Sequence, residues 1–158
     1  MTLKKIVTGG QTGVDRGALD AALDAGFPCG GWATEDRIAE DGTLAERYPL
    51  TPLPGGGYEE RTLQNVLDSD GTAILHLEVL EGGTRQTRDD CQAHARPCEV
   101  IDASRVAPED AALRIAGFVR RHHIAVLNVA GPRASKWPGA HAYAYETTKH
   151  LLQMSSSR

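Results

Sequence analysis

Three glycine-rich stretches follow apolar runs in this chain, and each could hold an anion. They are Gly9-Gly10-Gln11-Thr12-Gly13, Gly82-Gly83-Thr84 and Gly131-Pro132-Arg133. Glycine turns sharply and lets a backbone N–H come close to a ligand. The first two stretches run straight into residues with helical spacing. A helix start offers unpaired N–H groups and about half a positive charge, which suits a phosphate. Arginines form a second set of candidates. Arg16 lies one turn into the first helix, Arg37, Arg47 and Arg61 flank a long loop, and Arg133 follows the last strand. A guanidinium fork matches phosphate or another oxyanion bidentately. The plain alternative for each arginine is a solvated surface charge, and Arg133, at a strand exit, has the best position of the five.

Each motif also has a structural reading. The first stretch is not the GxGxxG dinucleotide fingerprint, and no GxxxxGK[ST] P-loop is present. Thr12 and Asp15 fit a capping box, Thr84 fits a helix N-cap, and Glu40-Asp41 reads as a solvated loop pair. Cys29, Cys91 and Cys98 are odd in number and lack CxxC spacing, which points to free thiols rather than a zinc site or a disulfide framework. His76 falls inside a strand and His122-His123 at a helix end, so no metal site is expected.

The elements that must position these turns alternate. Strands are expected over 4–8, 27–32, 72–77, 98–102 and 124–129. Helices are expected from Val14 to the stop at Gly26, and over 59–68, 84–95, 108–123 and 140–154. Pro108, with Glu109 and Asp110, marks one helix start, and Arg120 to His123 marks its basic end. Such alternation predicts an α/β, Rossmann-like three-layer fold: a mostly parallel sheet with helices on both faces. Residues 1–154 are expected to form a single ligand-binding domain, with 155–158 as a flexible tail. The segment 34–58 has no clean period, but Trp32, Tyr48 and Tyr58 favour a loop packed over the site. In open parallel sheets ligands sit outside the carboxyl ends of the strands, where all three glycine turns fall.

The bulk composition narrows the partners. With 17 basic and 21 acidic residues, the net charge of −4 argues against nucleic acid. No apolar run approaches the roughly 18 residues of a membrane span. The N-terminus runs into an apolar strand without signal-peptide features, so a cytoplasmic protein is expected. An anionic, phosphate-bearing small molecule must then be held by local donors rather than by the overall field.

Several strings extend the first turn: Gly9-Gly-Gln-Thr-Gly-Val-Asp-Arg16, Cys29-Gly-Gly-Trp32, Ala39-Glu-Asp-Gly42, Glu46-Arg-Tyr-Pro-Leu50, Gly82-Gly-Thr-x-x-Thr87 and Asn128-Val-Ala-Gly-Pro-Arg133. Together they closely resemble the putative molybdenum carrier family, collinearly from residue 6 to about 139. The resemblance implies a Rossmann-like fold and a homo-oligomer, dimer or tetramer. It also implies binding of the molybdenum cofactor (molybdopterin, a pterin with one phosphate) or of molybdate or tungstate. Molybdoenzymes or cofactor-synthesis proteins would be partners. The site it implies comprises Gly9, Gly10, Gln11, Thr12, Gly13, Arg16, Gly82, Gly83, Thr84, Gly131 and Arg133, with no catalytic residue and no protein ligand to metal.

Wider relatives of that family are the LOG-type nucleoside-monophosphate phosphoribohydrolases, with a PGGxGTxxE signature and a catalytic glutamate. Here the stretch reads Glu81-Gly-Gly-Thr-Arg-Gln-Thr87: one glycine is missing and Thr87 stands where the glutamate is expected. This departure favours a carrier over a hydrolase. A nucleotide-sensing module is a further alternative. Ala33-Thr-Glu-Asp36, acidic where the family is often basic, is left outside the site.

Overall fold

The computed structural model describes residues 2–156. The elements, in chain order, are β1 (Lys5–Val7), α1 (Val14–Asp24), β2 (Cys29–Gly30), β3 (Trp32–Ala33), β4 (Ile38–Ala39), β5 (Gly42–Thr43), β6 (Thr51–Pro52), α2 (Tyr58–Leu67), β7 (Gly71–His76), α3 (Gly82–Ala93), β8 (Cys98–Asp102), α4 (Pro108–His122), β9 (Val126–Ala130) and α5 (Ala140–Ser156). The central sheet has five strands in the order β2-β1-β9-β7-β8, and every pairing in it is parallel. This is the α/β Rossmann-like arrangement that the alternation predicts.

Two helical layers cover the sheet: α1, α4 and α5 pack together, and α2 packs on α3. Strand side chains divide between them with the period of two that a pleated strand imposes. Ile6, Ala73, Leu75, Ile101, Leu127 and Val129 join the core built on α1, α4 and α5. Thr72, Ile74, His76 and Asn128 are equally buried but alternate with them, which turns them to the α2–α3 side.

The helix ends follow their sequence signals. α1 ends at Asp24 and the chain turns at Gly26, with φ of 64°. α4 carries Pro108 in its first turn and Arg120, Arg121 and His122 in its last. α5 continues through Ser155 and Ser156, past the expected end at 154, while 157–158 of the expected tail lie outside the described residues.

The expected second strand is split. Cys29 and Gly30 pair with β1, but Trp32 and Ala33 turn away to pair with β6. Gly31, with φ of 125°, makes the break. Residues 34–58 fold into the β4–β5 hairpin, β6 and turns. They carry a small core of their own, in which Leu44, Tyr48 and Leu50 pack with Leu19 of α1 and Ala33. Among the described residues, no helix is long and apolar enough to cross a membrane.

Candidate ligand-binding site

The strand order creates the site. From β1 the chain leaves through α1 toward β2, and from β7 it leaves through α3 toward β8, in the opposite direction, with β9 between them. Such a switch point opens a crevice at the carboxyl ends of the strands. Here it is a cleft of about 890 Å³, within the roughly 300–1,000 Å³ typical of small-molecule sites. It runs from the first turn of α3 across the exits of β1 and β9 to the first two turns of α2.

One end is built to receive an anion. Glu81 precedes α3 in an extended conformation, and no side chain caps the helix. Gly82 adopts φ of 55°, and a Cβ added at Gly82 or Gly83 would meet no atom within 4 Å. The amides of Gly82, Gly83 and Thr84 therefore open a helix with empty space in front of them. Thr84 sits inside the first turn, because the helix starts two residues earlier than expected. Arg133 and Lys136 also line the cleft.

The other end is a buried polar floor. The Asp15 carboxyl, in the first turn of α1, is almost fully buried and lines the cleft. It accepts from the Gln11 amide at 3.2 Å, so it closes the β1–α1 turn rather than capping the helix. Burial pushes its pKa up to about 6, against the opposing pull of Arg61, the Gln11 amide, Arg16 and the Gly9 amide. Arg61 reaches over from α2, donating to the Gly9 carbonyl at 2.7 Å, and its buried Nε has no hydrogen-bond partner among the described residues. Asn128 of β9 donates to the Thr72 hydroxyl at 3.2 Å. Asn65 is spent on structure, bonding both ways to the Trp32 backbone at 2.8 and 3.0 Å. At the mouth, Tyr58, Leu77 and Val79 leave apolar surface exposed.

The chain matches the circularly permutated YpsA SLOG family over residues 6–152. It belongs to that family. This SLOG domain is also similar to a crystal structure of a putative molybdenum carrier protein from Syntrophus aciditrophicus SB. The two are 43% identical, over 96% of each chain, with a TM-score of 0.92. No curated protein matches. Family and relative together support a ligand-binding role.

Of the residues expected in the site, Gly9, Gln11, Gly82, Gly83, Thr84, Gly131 and Arg133 line the cleft of this SLOG domain, and Gly10, Thr12, Gly13 and Arg16 do not. Those four build the wall behind it. The Thr12 hydroxyl donates to Glu40 and accepts from the Ala134 amide at 3.0 Å. Gly13 packs on the backbone of Pro132 and Arg133. Arg16 donates to the Gly10 carbonyl and pairs with Asp41 at 3.0 Å.

Glu40 and Asp41, expected to be solvated, thus tie the β4–β5 hairpin to two glycine turns. Glu40 also accepts from the Ser135 hydroxyl at 2.7 Å and faces the Arg133 guanidinium at 3.4 Å. Hydrogen bonds from Ser135 and Thr12, with Arg133 nearby, hold its carboxyl below the usual range. The cleft's charged side chains balance, with Arg61, Arg133 and Lys136 against Asp15, Glu59 and Glu81. Recognition of an anion then rests on placed donors rather than net field.

Proposed function

We propose that the cleft binds the molybdenum cofactor as cargo and that the chain carries and protects it without catalysis. The uncapped start of α3, opening onto a cleft of ligand size, is the observation that supports this reading most. The phosphate would sit on the amides of Gly82, Gly83 and Thr84, with Arg133 beside it. Gly9, Gln11 and Gly131 would approach the organic part through their backbones, and Thr12, Gly10, Gly13 and Arg16 would brace that wall. The fit is to the organic part of the cofactor. Among the described residues, no group of three or more His, Cys, Asp or Glu could hold a metal ion. A metal held here would keep its own dithiolene and oxo ligands. Free molybdate or tungstate would use the same anion end.

Thr87 weighs against hydrolysis of a nucleoside monophosphate. Its hydroxyl turns back to the Gly83 carbonyl at 2.9 Å, at the position where the hydrolases have their glutamate. Protein incubated with AMP should release no adenine, and sustained release would replace the carrier reading with the hydrolase one. The direct test is native mass spectrometry of protein purified from a cofactor-producing host. Subunits carrying the cofactor mass, in a dimer or tetramer, are expected. Subunits that stay bare there, and that bind no phosphate-bearing pterin on titration, would overturn the proposal.

A further inference from the structure

The two ends of the cleft differ in hydrogen-bonding character, and the difference names an edge of the ligand. The α3 end offers donors. The floor offers acceptors. A carboxylate has about four acceptor sites. Asp15 gives at most two of them to backbone, to the Gln11 amide at 3.2 Å and to the Gly9 amide that also faces it. Its neighbour Arg61 does not saturate it: the guanidinium stands 3.9 Å away and gives its Nη1–H to the Gly9 carbonyl instead. Asn128 donates one amide N–H to the Thr72 hydroxyl at 3.2 Å. Asp15 and Asn128 both line the cleft.

A buried acceptor pair favours a ligand edge rich in N–H groups, because acceptors left unmatched on binding cost their full desolvation. An adenine edge puts a ring acceptor beside its amino group. A 2-amino-4-oxopyrimidine edge puts a ring N–H beside its amino group, and then a carbonyl. We infer that the two oxygens of Asp15 read the N–H pair of a 2-amino-4-oxopyrimidine ring, the edge that pterins and guanine share, in the ligand whose phosphate the α3 end holds. The inference rests on the anion-binding reading above and assigns recognition of the ligand's ring edge to a named side chain. The ring carbonyl would then fall toward the Arg61 guanidinium, which lines the same cleft.

Titration calorimetry of the full chain with neopterin monophosphate, GMP, IMP and AMP tests this. All four carry a phosphate monoester, and only the first two present a 2-amino group beside a ring N–H. The better of those two should bind on the order of tenfold tighter than IMP and AMP, and whichever leads identifies a pterin or a guanine nucleotide as the source. Asp15→Asn should bring its affinity to within about twofold of AMP, because the amide puts a donor where an acceptor stood. Arg133→Ala should weaken all four alike. Equal binding of the four by the wild type, or a preference that survives Asp15→Asn, would overturn the inference and leave the anion site standing. No binding by any of the four would bring down the anion site as well.

If Asp15→Asn fails to fold, the wild type still decides the question through pH. Burial pushes the Asp15 pKa up to about 6, with Arg61 on α2 and Arg16 on α1 the cations that oppose it. Below that pH the carboxyl is neutral, so the affinity ratio of the leading ligand to AMP should fall toward one between pH 8 and pH 5. The phosphate's own titration cancels in the ratio. A flat ratio would overturn the inference.

Discussion

The Arg61 guanidinium stands 3.9 Å from the Asp15 carboxylate, yet its 2.7 Å hydrogen bond goes to the carbonyl of Gly9. Asp15 is therefore a buried carboxyl without a full counter-ion, and its charged form costs stability. In the folded chain it titrates at about 6, above its ordinary 3.8. A group whose pKa rises on folding keeps its proton in the native state after the unfolded chain has lost it. Its contribution is thus present at low pH and is lost as the pH rises through that window. Asp15→Asn removes this dependence. Urea melts should show the variant more stable than wild type by on the order of 2 kcal/mol at pH 8 and nearly equal to it at pH 4. A gain of the same size at both pH values would mean that the carboxyl does not titrate in this window.

Gly83→Val tests the anion end without disturbing the fold. A Cβ there meets no atom within 4 Å, so only the modest helix preference of valine is at stake, below about 1 kcal/mol. The circular dichroism spectrum and melting temperature should stay near wild type while binding of a phosphate-bearing ligand is lost. Retained binding would move the phosphate to another part of the cleft.

Gly131→Ala should behave in the opposite way. The added carbon would run into the Leu75 carbonyl oxygen and come within 2.8 Å of the Val14 Cβ, where β9 passes over the start of α1. Backbone and a packed valine cannot yield cheaply, so a loss of about 3 kcal/mol or more is expected. Thermal melting and soluble yield would read it, and a wild-type melt would mean that this contact is looser than described.

Arg133 and Arg16 should separate binding from stability. Arg133 is 46% exposed on its side chain and meets Glu40 only at 3.4 Å. Its replacement by alanine should cost about 2–3 kcal/mol of ligand binding, as for a charged hydrogen bond, and leave the ligand-free melt unchanged. Arg16 holds the Gly10 carbonyl and Asp41 behind the wall. Arg16→Ala should cost about 1 kcal/mol of stability and leave affinity within about twofold. Wild-type affinity in both variants, with loss of binding in a cysteine variant, would point instead to thiolate ligation.

The layered fold and the glycine ends of the cleft were legible because both depend on local signals: apolar runs of strand length, and glycine just after them. What escaped depends on distant partners. Arg61 belongs to the site because α2 packs beside α3 and sends its guanidinium to Gly9, 52 positions away in the chain. Asp15 satisfied a capping pattern with Thr12, yet its carboxyl folds back to the Gln11 amide and Thr12 turns to Glu40. Arg16 was expected in the site together with Arg133 because nothing nearby in sequence says which face of a wall a guanidinium will take. The one local signal that could have exposed the split second strand is Gly31, whose position between Gly30 and Trp32 permits the sharp backbone break.

The placement of β9 has a consequence for how the protein is made. β1 pairs with β2 and β9, and β7 pairs with β8 and β9, but β1 and β7 never touch as strands. Until residues 126–130 arrive, the growing chain holds two separate strand pairs, each carrying one glycine turn. The cleft is closed by the strand of this sheet that comes latest in the chain. A nascent chain that has not yet released residues 126–130 therefore has no assembled site with which to capture a ligand, and loading must wait until that strand has left the ribosome.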